Sequence, residues 1–384
     1  MKVLYFSRDY TPHDHRFLSA LAQTSHTIYY LRLERQNRQL EDRPLPPQVE
    51  QVIWRGGRRP VGWSDYPHLL LDLRRVIQRI QPDVIHAGPV QSAGFLAAMS
   101  GFRPLVTMSW GSDMLLDADR SAWMRWVTRF TLRHTTVLAA DCRAVQEKAA
   151  RFGFSPQQVV LFPWGVDLNR FYPARAEEFR ARRGWQDAFV VLSLRTWEPL
   201  YGVDVVARGF ARAARQNPRL RLLLLGGGSQ AGLIRTIFQQ EGVLEQVYFG
   251  GQINGNELPQ YYQAADLYVS ASHSDGSSVS LMEALASGLP VLVSDIPGNR
   301  EWVTNGQEGW LFPDGDDKAI SEGILRAAGQ PQFLAQMRQA ARRLAEQRAN
   351  WPVNFQRLLE AYQLAVTLNR SPLSPITSTL KEQD

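Results

Sequence analysis

Residues 270–295, SASHSDGSSVSLMEALASGLPVLVSD, decide the fold of this chain. They read as the end of a buried strand, a polar turn, a helix and a second buried strand. Residues 275–278, DGSS, supply the turn and the N-cap, so a helix is predicted over 279–287. Gly288 suits a left-handed cap after that helix, and Pro290 cannot continue it. This order of elements is that of an α/β protein.

The predicted helix is apolar on nearly all sides, and its polar residues Ser280, Glu283 and Ser287 form one narrow stripe. A buried carboxylate is costly unless it is paired or bound to a ligand. The helix also begins at a small-residue loop, where free backbone N–H groups and the positive end of the helix dipole favour phosphate. These features fit a nucleotide, with its diphosphate on the amides and its ribose on Glu283. A core helix whose Glu283 meets an arginine fits them equally well.

Asp275 and Glu283 stand eight positions apart in this stretch. Together with the residues that follow Gly276, they resemble the EX7E signature, usually EGFGxxxxEAMAxGxPV, of retaining GT-B glycosyltransferases of family 4, the glycosyl transferases group 1. That resemblance implies an α/β chain of two Rossmann-like, doubly wound domains facing a cleft, with a C-terminal helix that crosses back to the N-terminal domain. Asp275 replaces the first Glu of the signature, and Ser277-Ser278 replaces Phe-Gly.

The resemblance also implies a donor site. Residues 195–202, RTWEPLYG, resemble the family segment RxxxPxKG, in which Tyr201 takes the position of the Lys. Arg195 is expected to neutralise the diphosphate, Asp275 to contact the donor sugar and Glu283 to bind the ribose. The donor and nucleotide-binding residues implied are Glu283, Ser278, Val279, Ser280, Gly228, Tyr201 and Ile253.

The glycine-rich segment 226–231, GGGSQA, also fits the dinucleotide pattern GxGxxA. The next predicted strand, 247–249, ends in Gly250-Gly251 and lacks the acid that would hold an adenosine ribose. NAD binding is therefore disfavoured, and the glycines are interpreted as a close approach of the backbone to a diphosphate.

The N-terminal half alternates short apolar runs with helical patterns, which predicts a parallel, doubly wound sheet. Strands are predicted at 3–6, 27–31, 84–86, 105–109 and 136–140, and helices at 69–80 and 92–99. Active groups in such a sheet gather at the carboxyl ends of the strands. The polar loop 9–16 lies at one such end, and the family resemblance implies that this loop faces the acceptor. With Asp113, it gives the predicted acceptor-binding residues His13, Asp14 and Asp113, although a solvated polar loop is also compatible with the sequence.

The predicted catalytic set is Asp275, Arg195 and His86, and the sequence offers more than one histidine for the imidazole role. His86 ends the run DVIH, which resembles the family's DVIHxH. Trp110 occupies the position of the His in the family's HGxD segment. Either that imidazole role is unfilled, or His86 or His13 takes it.

The segment 121–134 carries aromatic residues on one side of a predicted helix and Arg125, Arg129 and Arg133 on another. Two interpretations fit. The helix is a basic, interfacial surface that contacts an anionic membrane, or its tryptophans cover the core and its arginines are simply solvated.

Two domains are expected from 384 residues of which 44% are hydrophobic. Residues 161–173, LFPWGVDLNRFYP, resemble the family's interdomain linker IPNGVDxxxFxP. We therefore predict an acceptor-binding domain over 1–165 with a returning helix at about 352–368, and a nucleotide-sugar-binding domain over 166–351. Residues 369–384 are predicted to be disordered.

The amino-acid composition limits which partners and which cellular compartment are expected for this protein. The net charge is +6 and its excess lies in the N-terminal half, which favours anionic partners, although a bias towards arginine also follows genome composition. The single cysteine, Cys142, excludes an internal disulfide. No long apolar run or signal-peptide pattern is present, so a cytoplasmic location is expected, with peripheral membrane contact left open.

The family resemblance implies a retaining, hexosyltransferase-type enzyme, and it is expected to need no metal because Arg195 and the helix amides would stabilise the diphosphate. Its co-substrate is expected to be a UDP- or GDP-linked sugar with no other cofactor, its acceptor a lipid-linked or cell-surface glycan precursor, and no nucleic-acid partner is expected. Two alternatives stay open. A GT-B nucleotide-sugar 2-epimerase uses the same fold without an acceptor, and a catalytically silent nucleotide-sugar-binding protein would explain the changes at Trp110, Tyr201 and Asp275.

Overall fold

The computed structural model describes residues 1–33, 41–57 and 62–370. These residues form two compact units. Unit 1 comprises residues 1–140, 148–160 and the chain from Arg357 onward, and unit 2 comprises residues 141–147 and 161–356. Of the predicted disordered tail, residues 369 and 370 end the last helix, and residues 371–384 lie outside the described residues.

Unit 1 is built on a parallel sheet of short, buried strands. Its order is β3-β2-β1-β4-β5-β6-β7, and each pair from β3 through β6 is parallel. The strands are β1 (Lys2–Ser7), β2 (Thr27–Arg32), β3 (Val49–Gln51), β4 (Val84–Gly88), β5 (Leu105–Met108), β6 (Val137–Ala140) and β7 (Val159–Leu161). The five strands predicted from apolar runs are present, and the three-residue edge strands β3 and β7 were not predicted.

Helices cover this sheet because their apolar residues recur on one face. In α2, Leu69, Leu73, Val76 and Ile80 are buried and the positions between them are polar or more exposed. The α-helices described before β7 are α1 (Pro12–Leu21), α2 (Tyr66–Ile80), α3 (Phe95–Ser100), α4 (Ser112–Leu115), α5 (Ala122–His134) and α6 (Arg143–Arg151). The predicted helix 92–99 is instead a π-helical turn, Val90–Gly94, followed by α3.

Unit 2 has a six-stranded parallel sheet with the order β10-β9-β8-β11-β12-β13. Its strands are β8 (Phe189–Ser193), β9 (Leu220–Leu225), β10 (Val247–Gly251), β11 (Leu267–Ser270), β12 (Val291–Ser294) and β13 (Gly309–Phe312). Its core lies between this sheet and helices such as α8, which buries nine of its twelve residues. The remaining helices are α7 (Glu177–Ala181), α8 (Val203–Ala214), α9 (Ala231–Gln240), α10 (Leu258–Ala264), α11 (Val279–Ala286), α12 (Pro297–Arg300), α13 (Asp317–Gly329), α14 (Pro331–Arg348) and α15 (Trp351–Arg370).

The chain passes between the units in two helices. In α6, residues up to Glu147 belong to unit 2 and those from Lys148 belong to unit 1. In α15, the division falls between Gln356 and Arg357. Within the described part of the chain, none of the helices combines the length and the apolar character needed to cross a bilayer.

Candidate functional site

The connection order in unit 2 puts two loops side by side. The chain runs from β8 through β9 to β10 and then returns to β11, on the other side of β8. In parallel sheets of this kind, ligands bind at the carboxyl ends of the strands where the order reverses. Arg195 follows β8 at that edge, and the loop that contains Asp275 follows β11.

Gly202 allows these two loops to approach each other. Its φ is +57°, and a Cβ at this position would lie 2.1 Å from the carbonyl oxygen of Ala271, which follows β11. Any other residue would be strained by the left-handed backbone and would overlap that oxygen. The glycine therefore fixes the segment 195–201 against the end of β11.

Arg195 is the centre of a cluster of side chains at this edge. Its Nη2 pairs with Asp275 Oδ2 at 2.7 Å, and its Nη1 donates to the hydroxyls of Ser278 at 2.9 Å and Ser280 at 3.2 Å. The ring of Tyr201 lies against the guanidinium, with 4.4 Å between Cζ and the ring centroid. Five residues predicted from the sequence for the donor site are thus in contact, and we call them the Arg195 cluster.

Neighbouring groups favour the protonated, positively charged form of Arg195. Burial opposes the charged form, but the carboxylate of Asp275 and the nearby phenol of Tyr268 outweigh it and hold the pKa of Arg195 above its usual value. The side chains of Arg195 and Asp275 are only 14% and 19% exposed, so this pair is weakly screened by solvent. The cluster therefore presents a permanent cation beside a carboxylate.

Helix α11 begins in the same place. Ser278 is its N-cap residue, yet the Ser278 hydroxyl makes no capping bond to the helix amides and accepts from Arg195 instead. The positive end of the helix dipole and the guanidinium therefore lie together. Val279, the first residue of α11, is half-buried. Such a pairing is suited to an anion.

Glu283 lies one turn further along α11 and is half-buried. The phenol of Tyr262 donates to its Oε2 at 2.7 Å and to the carbonyl oxygen of Ser280 at 3.2 Å. Burial and the carboxylate of Glu283 raise the pKa of Tyr262 well above its usual value, so the phenol stays a donor. Tyr268 shares a hydrogen bond of 2.9 Å with the Ser280 hydroxyl. The polar stripe of α11 is therefore oriented by two buried tyrosines that sequence reasoning did not find.

The glycine-rich loop lies beside the segment that carries Arg195. Trp197 N–H donates to the carbonyl oxygen of Gly227 at 2.9 Å. Gly228 is exposed, and a Cβ there would come within 2.6 Å of the Trp197 carbonyl oxygen, so this position also requires glycine. Glu198 binds the next residue, since Ser229 donates to it from its amide at 2.9 Å and from its hydroxyl at 2.5 Å. The amide of Ser229 is thus already occupied by a carboxylate.

Ile253, the last residue predicted for the donor side, is half-buried just after β10, the strand next to β9.

Asp141 holds the loop before α11 in place. Its side chain accepts a hydrogen bond from Ser277 N–H at 2.8 Å, and its backbone carbonyl accepts one from the Ser277 hydroxyl at 2.6 Å. Asp141 lies in the 141–147 segment of unit 2, and the sequence pattern gave no sign of this contact.

His86 lies in unit 1 and is not part of the Arg195 cluster. It is 2% exposed, and its Nδ1 shares a 2.6 Å hydrogen bond with the hydroxyl of Tyr362 on α15. Burial lowers the pKa of His86 to about 3, so the imidazole is neutral at physiological pH. A ring enclosed in this way cannot reach a substrate, and we do not carry His86 into the catalytic set.

Asp14 and Asp113 are buried carboxylates that accept hydrogen bonds from backbone and hydroxyl groups of their own loops and of neighbouring segments. Asp14 closes a capping box with Thr11 at the start of α1 and also accepts from Tyr5. Asp113 accepts from the Ser109 hydroxyl at 2.7 Å and from three backbone amides, those of Val90, Trp110 and Met114. Burial raises the pKa of Asp14 to about 6 and that of Asp113 above its usual value. Both side chains stabilise loops, so we do not retain either as an acceptor contact.

His13 is the predicted acceptor residue that remains accessible. It is half-buried on the first turn of α1, and its ring meets the ring of Trp110 edge-on with 6.2 Å between centroids. Trp110 follows β5 in the segment SWGSD. The structure therefore brings together an imidazole and the tryptophan that occupies the family's histidine position.

Across residues 1–33, 41–57 and 62–370, no three His, Cys, Asp or Glu side chains come together in a group that could hold a metal ion.

Comparison with known families assigns the chain. The family model described as glycosyl transferases group 1 matches residues 175–344, and the one described as glycosyl transferase 4-like matches residues 2–142. The chain belongs to the group 1 glycosyltransferases. The two matched segments lie on either side of the predicted linker, and the family resemblance drawn from residues 275–291 is confirmed.

Several characterised relatives are similar to this group 1 glycosyltransferase. A GDP-mannose-dependent alpha-(1-6)-phosphatidylinositol monomannoside mannosyltransferase of Mycolicibacterium smegmatis is 29% identical over 71% of this chain and 74% of its own length. A D-inositol 3-phosphate glycosyltransferase of Thermobispora bispora is 31% identical over 55% of this chain and 51% of its own length. The match thus spans about half of the length of the latter relative.

Solved structures confirm the GT-B fold. HepE from Anabaena, in complex with UDP-glucose, matches 97% of this chain and 100% of its own at a TM-score of 0.76 and 18% identity. Sucrose-phosphate synthase from Thermosynechococcus elongatus matches the same shares at a TM-score of 0.80 and 19% identity. At these identities the similarity concerns the fold alone.

Proposed function

We propose that this group 1 glycosyltransferase transfers a sugar from a UDP- or GDP-linked donor to a lipid-linked or cell-surface glycan precursor, with retention of configuration at the anomeric carbon. The observation that carries the proposal is the Arg195 cluster. It joins a cation, a carboxylate and the start of α11 at the reversal point of the unit 2 sheet. Two observations on similar proteins support a nucleotide-sugar donor: the mannosyltransferase relative is GDP-mannose-dependent, and the structurally similar HepE forms a complex with UDP-glucose.

The donor is proposed to lie along α11. Glu283, oriented by Tyr262, accepts the ribose hydroxyls. The diphosphate binds the first-turn amides at Ser278, Val279 and Ser280 and the guanidinium of Arg195. We place it there rather than at Gly228 because the carboxylate of Glu198 holds the neighbouring amide of Ser229.

Bond cleavage follows from the same geometry. As the C1–O bond to the β-phosphate breaks, its electron pair moves to the diphosphate oxygen, where Arg195 and the dipole of α11 stabilise the new charge. Asp275, held in place by Arg195, contacts the hydroxyls of the sugar. An acceptor hydroxyl attacks C1 from the face that the diphosphate leaves, and its proton passes to the departing phosphate oxygen.

Tyr201 gives this site one formal charge fewer than the family segment, which carries Lys there. Its ring packs on the guanidinium of Arg195, and such a contact contributes about 0.5–2 kcal/mol. We propose that Tyr201 compensates for the absent ammonium by fixing the position of the remaining cation.

On the acceptor side, we propose that His13 and Trp110 contact the acceptor. Both are half-buried at the carboxyl edge of the unit 1 sheet, where such folds bind ligands. A tryptophan ring offers an apolar surface for a sugar or lipid, and the ring nitrogens of an imidazole can donate or accept hydrogen bonds.

A panel of nucleotide sugars tests the proposal. UDP-, GDP- and ADP-sugars are screened by thermal shift, since a ligand at ~100 times its dissociation constant adds ~2.7 kcal/mol of stability. The sugar that stabilises the protein is then incubated with a membrane extract, and release of nucleoside diphosphate and the anomeric configuration of the product are measured. We expect release with retention and no inhibition by EDTA. Inversion, or no release with any donor, contradicts the proposal.

A catalytically silent binding protein is the second candidate. The ion pair between Arg195 and Asp275 favours it, because each group already satisfies the other. The same assays separate the two functions. A silent protein is stabilised by a nucleotide sugar and releases no nucleoside diphosphate, whereas an enzyme does both.

A further inference from the structure

Helix α5 (Ala122–His134) divides its side chains into two sets. Val127, Thr128, Thr131 and Leu132 are buried in unit 1. Trp123 and Trp126 point away from that face and are 51% and 48% exposed. Unit 1 therefore covers only about half of each tryptophan side chain, and the interpretation in which the tryptophans cover the core accounts for only part of their surface.

The exposed tryptophans belong to a larger aromatic surface. Trp63, just before α2, is 49% exposed and meets the ring of Trp123 at 5.7 Å. Tyr66 stacks on Trp63 at 4.8 Å, and Phe130 continues the row along α5. We call Trp63, Tyr66, Trp123, Trp126 and Phe130 the aromatic ladder. Phe95, which is buried, supports it from below with edge-on contacts to Trp63, Trp126 and Phe130.

The orientation of these rings restricts what they can bind. Trp126 stacks on Trp123 at 4.9 Å and on Phe130 at 5.5 Å, with interplanar angles of 18° and 26°. Its two flat faces are thus covered by neighbouring rings, and its exposed part is an edge. Sugars pack on flat ring faces, whereas amphipathic rings at a bilayer surface insert between headgroups and acyl chains. The ladder is therefore shaped for a lipid interface.

Four exposed arginines lie on or next to the helix that carries most of the ladder. These are Arg120, Arg125, Arg129 and Arg133. The acidic residues close to the ladder in sequence are Asp65, which is half-buried between Trp63 and Tyr66, and Asp117 and Asp119, which precede α5. Asp119 is paired with Lys148. Exposed arginines beside half-exposed tryptophans complement the negative charge of an anionic membrane. The attraction between such a membrane and each basic residue near its surface changes the partition coefficient about fivefold.

We propose that the aromatic ladder and these four arginines form a surface that docks unit 1 on an anionic lipid bilayer. The ring edges enter the interfacial region, and the guanidinium groups bind lipid phosphates. This surface is independent of the Arg195 cluster, which lies in unit 2, so docking and catalysis can be tested separately.

The test uses the full chain and two kinds of vesicle, phosphatidylcholine alone and phosphatidylcholine with phosphatidylglycerol. Wild-type protein is expected to sediment with the anionic vesicles and to remain free with the neutral ones. Trp123→Ala with Trp126→Ala should reduce partitioning about tenfold or more, and Arg125→Gln with Arg129→Gln about 25-fold. Added salt should weaken the binding of the wild type.

Matched control variants lie on unit 2. Leu233→Ala with Phe333→Ala removes apolar side chains as exposed as the tryptophans, and Arg219→Gln with Arg326→Gln removes two exposed charges. Both should bind vesicles as the wild type does. Trp123→Phe with Trp126→Phe keeps the stacked rings and guards against misfolding, and its melting temperature should stay close to that of the wild type.

Three outcomes would overturn the proposal. The first is that wild-type protein binds neither kind of vesicle, and the second is that the ladder variants bind as tightly as the controls. The third is that sedimentation reveals a dimer that the tryptophan substitutions dissociate, in which case the ladder is a protein interface.

Discussion

Replacing Arg195 by alanine is expected to damage stability moderately and catalysis severely. The substitution removes the ion pair with Asp275 and the donors to the Ser278 and Ser280 hydroxyls at once. Loss of one partner of a fully buried pair costs about 3–5 kcal/mol. Because these side chains keep 14% and 19% exposure, water screens part of that cost, and we expect about 2 kcal/mol. The melting temperature of unit 2, which contains both residues, would then fall by about 4–8 °C.

The catalytic loss is expected to be larger. Arg195 is proposed to stabilise the charge that develops on the leaving diphosphate, and removing one such group lowers kcat by about 10²–10³-fold. Arg195→Lys retains a charge but cannot reach Asp275 and both serines together, so an intermediate kcat is expected. Initial rates of nucleoside diphosphate release at saturating donor, measured well below the melting temperature, give kcat for each variant.

Arg208→Ala is the matched control. Arg208 pairs with Asp204 at 2.7 Å within α8 but is 41% exposed, so its loss should cost at most about 1 kcal/mol and leave kcat unchanged. The reasoning is refuted if Arg195→Ala keeps kcat within about threefold of the wild type while the fold is intact. It is also refuted if Arg208→Ala is equally damaging.

Three other substitutions test individual contacts. Tyr262→Phe removes the donor to Glu283 and should weaken UDP or GDP binding about fivefold or more by calorimetry; an unchanged Kd contradicts the orienting role. The pKa of Asp14 is about 6 in the folded protein against 3.8 for the free side chain, so the folded state binds more protons between these values. Asp14 should therefore contribute a loss of about 2–3 kcal/mol of unfolding free energy as pH rises from about 4 to about 6, and Asp14→Asn should lose less stability than the wild type by this amount in urea titrations; parallel profiles refute it. Tyr362→Phe leaves His86 Nδ1 buried without that partner and should cost about 1–3 kcal/mol with kcat unchanged, whereas a large fall in kcat would return His86 to the catalytic set.

The fold was largely predictable because its signals are local. Buried parallel strands are short runs of apolar residues, and α11 is recognisable from a cap, an apolar body and a glycine stop within a few positions. Edge strands β3 and β7 have three residues each, too few for an apolar run to show. Residues 141–147 belong to unit 2 through tertiary contacts, such as that between Asp141 and Ser277, that no local pattern encodes.

The donor side of the site was more predictable than the acceptor side. Arg195 follows β8, and the loop that contains Asp275 follows β11, the neighbouring strand at which the strand order reverses. The sheet topology therefore brings these two loops together. His86 also ends a strand, but Tyr362, the partner that marks it as buried, is 276 residues away. Asp14 could have been recognised as a helix cap, because Thr11 stands three positions before it.

Calorimetry of nucleoside diphosphates on wild-type protein and Glu283→Gln tests most directly whether α11 holds a nucleotide. Because the amide keeps the shape of the carboxylate and loses its charge, the contact to Tyr262 persists while the acceptor for two ribose hydroxyls is weakened. We expect UDP or GDP to bind the wild type and to bind Glu283→Gln at least about tenfold more weakly, with inorganic pyrophosphate binding unchanged. Equal affinity of both proteins for the nucleotide would show that Glu283 does not bind the ribose, and the proposed donor site would be wrong.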